Sequence, residues 1–536
     1  MISSSRVGGA VLVVVLGALS MDGGPARSQP GSAQGSGSGS APAAGSNGEI
    51  ELDEDDVGTT AGSGNILIAP PDPSLRLAWL KDKVAAAITA RPKLATARIT
   101  YAVIDLSTGK ELVSREPERP MNLASNAKLL TSTAALSALG AGFRWRTAVY
   151  AAVPDETGTV AGDLHLRGRG DPVLSVEHLD QLAADVAARG ITNVEGRLVI
   201  DTSYFDNVTE PPHFDEQPKE RAAFRAPIAS FAVNRSQYTV TVMAEPGGAA
   251  RVTLDPDVGD YMKIVKDEVT SVMKGRSRLR LEHKTKPTGV ELEITGQIRT
   301  GEGSWDLRRR VDDPTRFAAE AFKHALAKHG VKLRKTSIGF GPVPPTAKLV
   351  AAHDSPPLTD VIRWMNKHSD NNIAETVLKT IGAETKPTPG PAKWSDGIAA
   401  MRAQLAKLGL QGTYRSDNGS GLYAATEVSA KQMLTLLAAA HRDYRIGPDL
   451  VASLPIGGLD GTLARRWHGK PALGRVRAKT GTLDKVTTLA GYVGVDSGHV
   501  LAFAIFVNDI PPGQRPLVKA MADEMVDALA AFLDAR

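Results

Sequence analysis

A serine three residues before a lysine can do chemistry, because a lysine amine can take the proton of a serine hydroxyl. The stretch NLASNAKLL, residues 122–130, places Ser125 and Lys128 in this relation at the predicted start of an apolar helix. Residues i and i+3 of a helix share a face, so the two side chains would be neighbours. A serine beside such a base is an activated nucleophile for acyl transfer. A serine at this position is also a common helix N-cap.

Ser-x-x-Lys occurs three times in the chain, and about two occurrences are expected by chance. Ser107 and Lys110 lie in the turn of a predicted strand–turn–strand, ARITYAVIDLSTGKELVSREP, where polar residues are ordinary. Ser271 and Lys274 lie in DEVTSVMKGRSRLRLEH, which is predicted to be one strand, so the pair would point to opposite faces. Only Ser125 is predicted to share a face with its lysine.

Two further motifs follow along the chain. Ser-Asp-Asn, residues 369–371, lies between two predicted helices, and Lys-Thr-Gly, residues 479–481, lies on a predicted strand that leads into a hairpin. A second Ser-Asp-Asn, residues 416–418, is followed by Gly-Ser-Gly, which predicts a tight turn. A loop between two helices can aim side chains into a cleft, so the motif at Ser369 is preferred.

The composition limits the class of protein. At 536 residues, with 42% hydrophobic and 23% charged residues, the chain is predicted to be a soluble protein of two or three domains. Its net charge of +4 is small, so no nucleic-acid partner is predicted. The chain has no cysteine, which excludes disulfides, thiolate nucleophiles and cysteine zinc sites. It also lacks His-Glu-x-x-His and Gly-x4-Gly-Lys-Ser/Thr, so metalloprotease and nucleotide-binding functions have no motif support.

The N-terminal residues predict export. Arg6 precedes an apolar run over residues 7–21 and then small residues, a pattern typical of a signal peptide, here residues 1–28. Residues 29–72 are rich in Gly, Ser and Ala and then acidic, which predicts a disordered tether.

The rest of the chain predicts a split domain. Helical patterns flank a strand-rich stretch, residues 145–345, in which a single helix is predicted over residues 314–330. This order favours one α/β domain, formed by residues 73–144 and 346–536, that is divided by inserted β-rich domains.

Taken together, the three motifs resemble those of penicillin-recognising serine enzymes. From about Ser74 onwards the sequence is similar to the D-alanyl-D-alanine carboxypeptidase/endopeptidases of the penicillin-binding protein four type, a class C low-molecular-mass group. The similarity includes GRGDPVL, SFAVNRSQYTV, NGSGL and LPIGGLDGTLARR. It implies an α/β (α+β) transpeptidase/β-lactamase-like fold, with an antiparallel sheet flanked by helices and a long insertion that forms one or two smaller domains.

The resemblance also implies a function. It implies a serine-type D,D-peptidase in the periplasm or at the outer face of the cytoplasmic membrane, acting on peptidoglycan peptides that end in D-Ala-D-Ala or carry D-Ala cross-links. β-Lactams would be covalent inhibitors, and neither a metal nor a cofactor is required. The balance of carboxypeptidase and endopeptidase activity, the stem-peptide preference and the oligomeric state stay open.

Each motif would then have a chemical role. Ser125 would attack the substrate carbonyl with Lys128 as its base. A lysine with a reference pKa near 10.4 is almost fully charged at pH 7, so burial and the cation Lys479 are expected to lower the pKa of Lys128. Ser369 would relay a proton to the departing amine, and Asn371 would hold Lys128 and the substrate amide.

The strand motif would bind the end of the substrate. Lys479, Thr480 and Thr482 would hold the terminal carboxylate, with Gly481 between them in the strand. By analogy with the family, the backbone N–H groups of Ser125 and Thr482 would bind the oxyanion.

Two alternatives remain. A β-lactamase-like hydrolase uses the same motifs, but the chain has no Glu-x-x-x-Asn between Asn371 and Lys479 to activate water, which predicts slow release of penicillin. A catalytically silent peptidoglycan-binding protein would use the inserted domains and would leave the three motifs without a purpose.

Overall fold

The computed structural model describes residues 67–535. The predicted signal peptide, residues 1–28, lies outside the described residues, as do residues 29–66 of the predicted tether. The remaining tether residues, 67–72, contain no helix or strand. Within residues 67–535, no helix is both long enough and apolar enough to cross a membrane.

The described residues form ten α-helices, several of which begin at a side chain that accepts a backbone hydrogen bond. Asp72 caps the first helix at Ser74 N–H, and Asp370 caps the sixth at Ile373 N–H. The helices are α1 Pro73–Thr89, α2 Ala127–Leu139, α3 Val176–Ala188, α4 Pro314–Lys328, α5 Leu358–His368, α6 Asn371–Thr385, α7 Trp394–Lys407, α8 Ala430–Arg442, α9 Gly447–Ser453 and α10 Arg515–Asp534.

The same part of the chain forms 22 strands, which are distributed over six sheets. They are β1 Arg98–Asp105, β2 Glu111–Arg115, β3 Pro120–Asn122, β4 Arg146–Ala151, β5 Thr159–Val160, β6 Leu164–Arg167, β7 Asn193–Val194, β8 Leu198–Asp201, β9 Gln237–Ala244, β10 Ala250–Asp255, β11 Met262–Val272, β12 Arg278–Lys286, β13 Gly289–Arg299, β14 Ser304–Arg310, β15 Lys332–Leu333, β16 Gly339–Phe340, β17 Lys348–Asp354, β18 Arg415–Ser416, β19 Thr426–Ser429, β20 Val476–Leu483, β21 Val486–Gly494 and β22 Val500–Asn508.

The central sheet has five strands in the order β2-β1-β22-β21-β20, and all of its pairs are antiparallel. Alternate residues of a strand point to opposite faces. Val103 and Phe503 therefore pack in one apolar cluster with α1 and α10, whereas Ala102 and Ala504 pack in another with α2 and α5–α9. An antiparallel sheet covered by helices on both faces confirms the predicted fold class.

A long segment is inserted into this domain through one pair of strands. Strand β4 pairs antiparallel with β17, so the chain leaves and returns at the same place. We call residues 146–354, from the start of β4 to the end of β17, the insertion. Its sheets include β16-β8-β6-β4-β17, β10-β9-β14 and β11-β13-β12. The strand-rich stretch was predicted to end at residue 345, but its first sheet also contains β17, which begins at Lys348. The division into domains otherwise stays a prediction.

The prediction of a single helix in this region was wrong. Helix α4 agrees with the predicted helix, but α3 is a second helix of the insertion. Its buried residues Leu179, Leu182, Ala183 and Val186 follow the i, i+3, i+4, i+7 spacing of an amphipathic helix, which the sequence carries among short strands.

Candidate active site

Ser125 lies in a single 3₁₀ turn, Ala124–Asn126, that runs directly into α2. Its side chain makes no cap hydrogen bond to this helix, so the N-cap interpretation does not apply. The turn is held by its neighbours: Ala124 adopts a left-handed φ of 46°, and Asn126 donates to the Thr488 hydroxyl at 2.6 Å. Thr488 in turn donates to the carbonyl of Leu123 at 2.7 Å. Ser125 is thus fixed between α2 and strand β21, and it is half-buried.

The amine of Lys128 is buried beneath Ser125. Its Nζ lies 3.0 Å from Ser125 Oγ, 2.6 Å from Asn371 Oδ1 and 3.1 Å from the carbonyl oxygen of Ser420. The side chain has no exposed surface. Three acceptors from three distant parts of the chain therefore surround one amine.

The second motif lies where α5 ends and α6 begins. Ser369 has a left-handed φ of 57° that reverses the chain after α5, and its Oγ accepts a 2.8 Å hydrogen bond from Lys479 Nζ. Asn371 is the first residue of α6, and its Nδ2 donates to the carbonyl of Phe224 in the insertion at 3.0 Å. We call residues 369–371 the SDN loop.

The third motif lies on β20, an edge strand of the central sheet. Lys479 is fully buried, and its Nζ also donates to its neighbour's carbonyl, that of Thr480, at 2.8 Å. The Thr480 hydroxyl donates to Thr462 at 2.7 Å, and Thr482 is half-buried on the same strand.

Gly481 allows β20 to approach the nucleophile. A Cβ at this position would lie 2.3 Å from Thr488 Oγ1, 2.7 Å from the Leu123 carbonyl oxygen and 3.0 Å from the Ser125 nitrogen. Contacts below 3 Å with backbone atoms cannot be relieved by a side-chain rotation. Glycine is therefore required here by space, and the distances bring the third motif against the first.

The structure separates the two other Ser-x-x-Lys pairs from this site. Ser107 lies in the β1–β2 turn and donates to Asp105 at 2.6 Å. The prediction of one strand through Ser271 and Lys274 was wrong: β11 ends at Val272, and a turn containing Lys274 leads into β12. Gly275 in this turn has a φ of 105°, which explains why the strand breaks there.

The second Ser-Asp-Asn has a different place. Within the described residues the buried Ser416 hydroxyl has no hydrogen-bond partner, and Asn418 donates to the carbonyls of Pro212 and Leu422 at 3.2 and 3.3 Å. Asn418 Oδ1 also accepts from Gly421 N–H at 2.9 Å. Asn418 thereby shapes the turn whose Ser420 carbonyl accepts a hydrogen bond from Lys128.

Glu375 supports the same turn and was missed by the sequence reasoning. Its buried carboxylate accepts hydrogen bonds from Ser420 N–H at 2.8 Å, Gly419 N–H at 3.0 Å and the Trp394 indole at 3.0 Å. Glu375 is four residues after Asn371, so both side chains project from one face of α6. That spacing, in SDNNIAE, is the signal that could have identified it.

A buried ion pair connects α6 to the insertion one turn further on. Lys379 Nζ donates to Asp206 Oδ1 at 2.5 Å and to the Val208 carbonyl at 3.2 Å, and it lies 4.1 Å from the centroid of the Trp394 ring. Burial lowers the pKa of Lys379, and its hydrogen bond to Asp206 opposes that shift. The helix that carries Asn371 is thus anchored to residues 206–208.

Within residues 67–535, no three or more His, Asp or Glu side chains are grouped as a metal site would need. The polar groups at the centre of the site are instead two lysines, two serines and an asparagine.

Comparisons with known proteins agree with this architecture. The sequence model of the D-Ala-D-Ala carboxypeptidase 3 (S13) family matches residues 80–532. A D-alanyl-D-alanine carboxypeptidase from Actinomadura sp. is 35% identical over 476 residues, covering 85% of each chain. Another, from Haemophilus influenzae, is 27% identical over 410 residues, covering 73% of this chain and 81% of that relative.

The fold is also similar to solved structures. The crystal structure of penicillin-binding protein 4 from Haemophilus influenzae matches with a TM-score of 0.68 at 24% identity, covering 81% of this chain and 97% of that chain. A structure of the same protein in complex with a β-lactam matches with a TM-score of 0.65 at 25% identity, with the same coverage.

Proposed function

The chain belongs to the D-Ala-D-Ala carboxypeptidase 3 (S13) family, and from that membership we propose that it cleaves peptidoglycan stem peptides through an acyl-enzyme on Ser125. The family identified from the three motifs is confirmed, and the chain is a serine-type D,D-peptidase of the penicillin-binding protein class. Its substrates are peptides that end in D-Ala-D-Ala, and β-lactams acylate the same serine.

The observation that carries this proposal is the placement of the Lys128 amine. A neutral amine has two N–H groups and one lone pair. If the two N–H groups donate to Asn371 Oδ1 and to the Ser420 carbonyl, the lone pair is left for the third neighbour, the Ser125 hydroxyl. The amine is then oriented to accept the serine proton, which is the geometry that a general base needs.

The reaction follows from these positions. Ser125 Oγ bonds to the carbonyl carbon of the penultimate D-alanine, and its proton passes to Lys128. The C–N bond to the terminal D-alanine then breaks, and the departing amine takes up a proton through Ser369. Water finally cleaves the ester, which frees Ser125 and the shortened peptide.

The strand motif binds the end of the substrate in this proposal. Lys479 and the hydroxyls of Thr480 and Thr482 hold the terminal carboxylate, which pairs a cation with an anion inside a buried site. The N–H groups of Ser125 and Thr482 stabilise the oxyanion, supported by the close approach that Gly481 permits.

Hydrolysis of β-lactams is expected to be slow. Glu375 is a buried carboxylate in the same region, but three donors already bind its oxygens. A carboxylate in that state is a poor base for water, so the penicillin ester on Ser125 persists.

Export is part of the proposal and rests on the sequence alone. Arg6 and the apolar run over residues 7–21 have the pattern of a signal peptide, which would deliver the enzyme to the periplasm or to the outer face of the cytoplasmic membrane.

Intact-mass spectrometry of the purified protein after exposure to benzylpenicillin tests the proposal. We expect a stable adduct of one drug mass, absent in Ser125→Ala and present in the matched control Ser107→Ala, whose serine also precedes a lysine by three residues. Rapid drug turnover without an adduct would indicate a β-lactamase. The absence of both an adduct and drug turnover would indicate a silent peptidoglycan-binding protein.

A further inference from the structure

Arg235 reaches from the insertion to the SDN loop. Its Nη1 donates to Asp370 Oδ2 at 3.1 Å, and its guanidinium lies 5.4 Å from the centroid of the Trp364 ring on α5. The side chain of Asp370 is 9% exposed and that of Arg235 is 34% exposed. Ion pairs between two exposed side chains contribute little to stability, but a carboxylate this deeply buried depends on its partners.

The two oxygens of the Asp370 carboxylate have separate partners. Oδ1 accepts a 2.9 Å hydrogen bond from Ile373 N–H and so caps α6, while Oδ2 accepts from Arg235. The cap fixes the start of the helix locally. The bond to Arg235 fixes the same side chain from the insertion, so the carboxylate is held by both of its oxygens.

The turn that presents Arg235 has a strained backbone. Asn234, Arg235 and Ser236 are consecutive residues with left-handed φ values of 50°, 56° and 57°. Non-glycine residues rarely adopt this conformation, because their Cβ lies too close to the following carbonyl oxygen. Such strain persists only where the surrounding structure holds it, and it is concentrated at functional sites.

Hydrogen bonds on both sides hold this turn in the insertion. Asn234 Oδ1 accepts from the N–H of Val176, the first residue of α3, at 3.0 Å. On the other side, the Ser236 carbonyl accepts from the N–H of Val311, just after β14, at 2.9 Å. Arg235 therefore projects from a fixed base and not from a free loop.

Ser369 is the residue of the SDN loop that depends most on its neighbour Asp370. It has a left-handed φ of 57°, which a non-glycine residue keeps only when adjacent residues are fixed. Its Oγ accepts the 2.8 Å hydrogen bond from Lys479 Nζ. A displacement of Asp370 would therefore move the Ser369 hydroxyl away from Lys479.

The residues after Asp370 are held independently. Asn371 Nδ2 donates to the carbonyl of Phe224 at 3.0 Å, and Asn372 Nδ2 donates to the carbonyl of Pro227 at 2.9 Å. Both bonds come from the insertion and neither involves Arg235. Loss of Arg235 should therefore disturb the serine of the loop more than its asparagine.

We propose that Arg235 is a positioning residue for proton transfer to the leaving group, an inference that rests on the proposed function. In that reaction the electron pair of the broken C–N bond stays on the nitrogen. The nitrogen takes up, through Ser369, the proton that Ser125 gave to Lys128. Arg235 acts on this step through Asp370, which keeps the Ser369 hydroxyl in place.

The proposal predicts different behaviour for two kinds of leaving group. An amine must be protonated as it departs, whereas a thiol has a reference pKa of about 8.5 and can leave as the thiolate. In a thioester analogue the electron pair of the broken C–S bond stays on sulfur, and the proton stays on Lys128. An enzyme with a displaced Ser369 should therefore be slow with the amide and close to normal with the thioester.

Substitutions at two positions interrupt the contact in different ways. Arg235→Ala removes the guanidinium, and Arg235→Lys keeps a cation. Asp370→Asn keeps an oxygen for the cap of α6, where asparagine and aspartate are equally good, but removes the negative charge. The double variant Arg235→Ala/Asp370→Asn tests whether the two residues act through one contact.

Arg167→Ala is the matched control. Arg167 also belongs to the insertion, and its Nε donates to Asp201 Oδ2 at 3.1 Å, with side chains that are 40% and 2% exposed. Its guanidinium lies 5.1 Å from the centroid of the Tyr150 ring. It therefore matches Arg235 in charge, exposure and contacts, but its partners lie on β8 and β4 of the insertion.

Two reactions are measured for each protein as kcat/KM. One is release of D-alanine from a stem peptide that ends in D-Ala-D-Ala, and the other is cleavage of an analogue with a thioester in place of the scissile amide. We expect Arg235→Ala and Asp370→Asn each to lower the amide value about tenfold or more, the loss typical of one charge-assisted hydrogen bond. The thioester value should stay close to wild type, which also shows that each variant is folded.

The remaining variants complete the test. Arg235→Lys should lose less amide activity than Arg235→Ala, because it keeps the charge. The double variant should lose no more than the larger single loss, and Arg167→Ala should match wild type with both substrates.

The other outcomes separate the two proposals. Equal losses with amide and thioester, wild-type amide cleavage by Arg235→Ala, a lysine variant as slow as the alanine variant, or additive losses in the double variant would each overturn the role of Arg235 and leave the proposed function intact. A wild-type protein that cleaves neither substrate and that benzylpenicillin does not acylate would overturn both.

Discussion

The Nδ2 amide of Asn371 donates a 3.0 Å hydrogen bond to the carbonyl oxygen of Phe224 in the insertion. The other side of the same amide, Oδ1, accepts a 2.6 Å hydrogen bond from the amine nitrogen of Lys128. An amide whose nitrogen is bound to a carbonyl must present its oxygen on the opposite side. The insertion therefore orients the Asn371 amide, which accepts a hydrogen bond from Lys128, although Phe224 and Asn371 are far apart in the sequence.

Changing Asn371 to aspartate should disable this arrangement. The new carboxylate has no N–H group to donate to the Phe224 carbonyl, so that hydrogen bond is lost. It also places a negative charge beside Lys128, which favours the charged ammonium over the amine that acts as a base. We expect acylation by benzylpenicillin to slow by about 100-fold or more, the contribution of a general base. Rates of adduct formation measure this effect, with Asn193→Asp in the insertion as a control. Wild-type acylation by Asn371→Asp would contradict the role given to Lys128.

Adding one methyl group at Gly481 should separate the motifs. In Gly481→Ala the Cβ would overlap Thr488 Oγ1 and the backbone of Leu123 and Ser125. Overpacking of this kind costs about 1–3 kcal/mol and shifts the backbone. We expect acylation at least tenfold slower, as about 1.4 kcal/mol corresponds to a tenfold change. Gly494→Ala on β21 is the control, because its Cβ would be 3.4 Å from the Val500 side chain, an ordinary contact. Similar rates for the two variants would argue against the close approach.

Glu375 should act as a positioning residue. Glutamine in its place has only one acceptor oxygen for three donors, so at least one buried N–H loses its partner. We expect Glu375→Gln to lower the free energy of unfolding by about 1–3 kcal/mol and to slow acylation, because the Ser420 carbonyl that meets Lys128 moves. Denaturant unfolding and acylation rates measure the two effects.

The control for this prediction is Glu427→Gln. Glu427 is a half-exposed partner of Arg415, and its substitution should change stability by no more than about 0.5 kcal/mol. If Glu375→Gln lost stability but kept the wild-type acylation rate, Glu375 would support the fold without positioning the site.

Removal of Asp206 alone, which leaves Lys379 without its ion-pair partner, should destabilise the protein more than removal of both charges. Asp206→Ala leaves the buried Lys379 ammonium without its anion, which should cost about 3–5 kcal/mol. The double variant Asp206→Ala/Lys379→Met removes both charges and should recover most of that loss. A double-mutant cycle of unfolding free energies measures the coupling. Additive losses would mean that the two charges do not depend on each other.

Stability should depend on pH through Asp171. Burial raises the pKa of this carboxyl from 3.8 to about 7, and His353 Nε2 lies 3.8 Å from Oδ2. Between about pH 4 and pH 7 the native state therefore holds a proton that the unfolded chain has lost, so stability falls as the pH rises. The largest loss is about 4 kcal/mol, since one pKa unit corresponds to about 1.4 kcal/mol.

Asp171→Asn cannot ionise and should gain stability over wild type as the pH rises through this window, measured by unfolding at pH 4, 5.5, 7 and 8. The pKa of Asp527 is also raised to about 7 by burial, so the variant retains part of the slope. Burial, and then His178, lower the pKa of His353, which adds an opposite slope below its ordinary value of 6.5. That contribution is common to both proteins unless it is coupled to Asp171. If the difference in unfolding free energy between Asp171→Asn and wild type did not change with pH, the prediction would be refuted.

Local signals predicted much of the fold and the outline of the site. The i, i+3 spacing of Ser125 and Lys128 and the strand character around Lys479 depend on neighbouring residues only, and the sequence carries both. The contacts of Phe224 with Asn371 and of Glu375 with Ser420 join distant segments, and no local pattern encodes them. The roles given to the motif residues stay proposals.

The two errors in the predicted secondary structure also have physical reasons. Helix α3 is short and lies among strands, so its amphipathic spacing was overlooked. The turn between β11 and β12 interrupts a run of strand-forming residues, and Gly275 is the only glycine that marks it.

The pairing of β1 with β22 has a consequence for biosynthesis. Ile104 pairs with Ala502, nearly 400 residues later, so the central sheet cannot close until almost the whole chain has been made. At about 5–20 residues per second, translation of the intervening residues takes on the order of 20–80 s. During that time the β1–β2 hairpin has an open edge that can pair with other chains. The insertion, whose strands pair among themselves, can fold first, and a chaperone that shields the N-terminal hairpin would have its greatest effect in this interval.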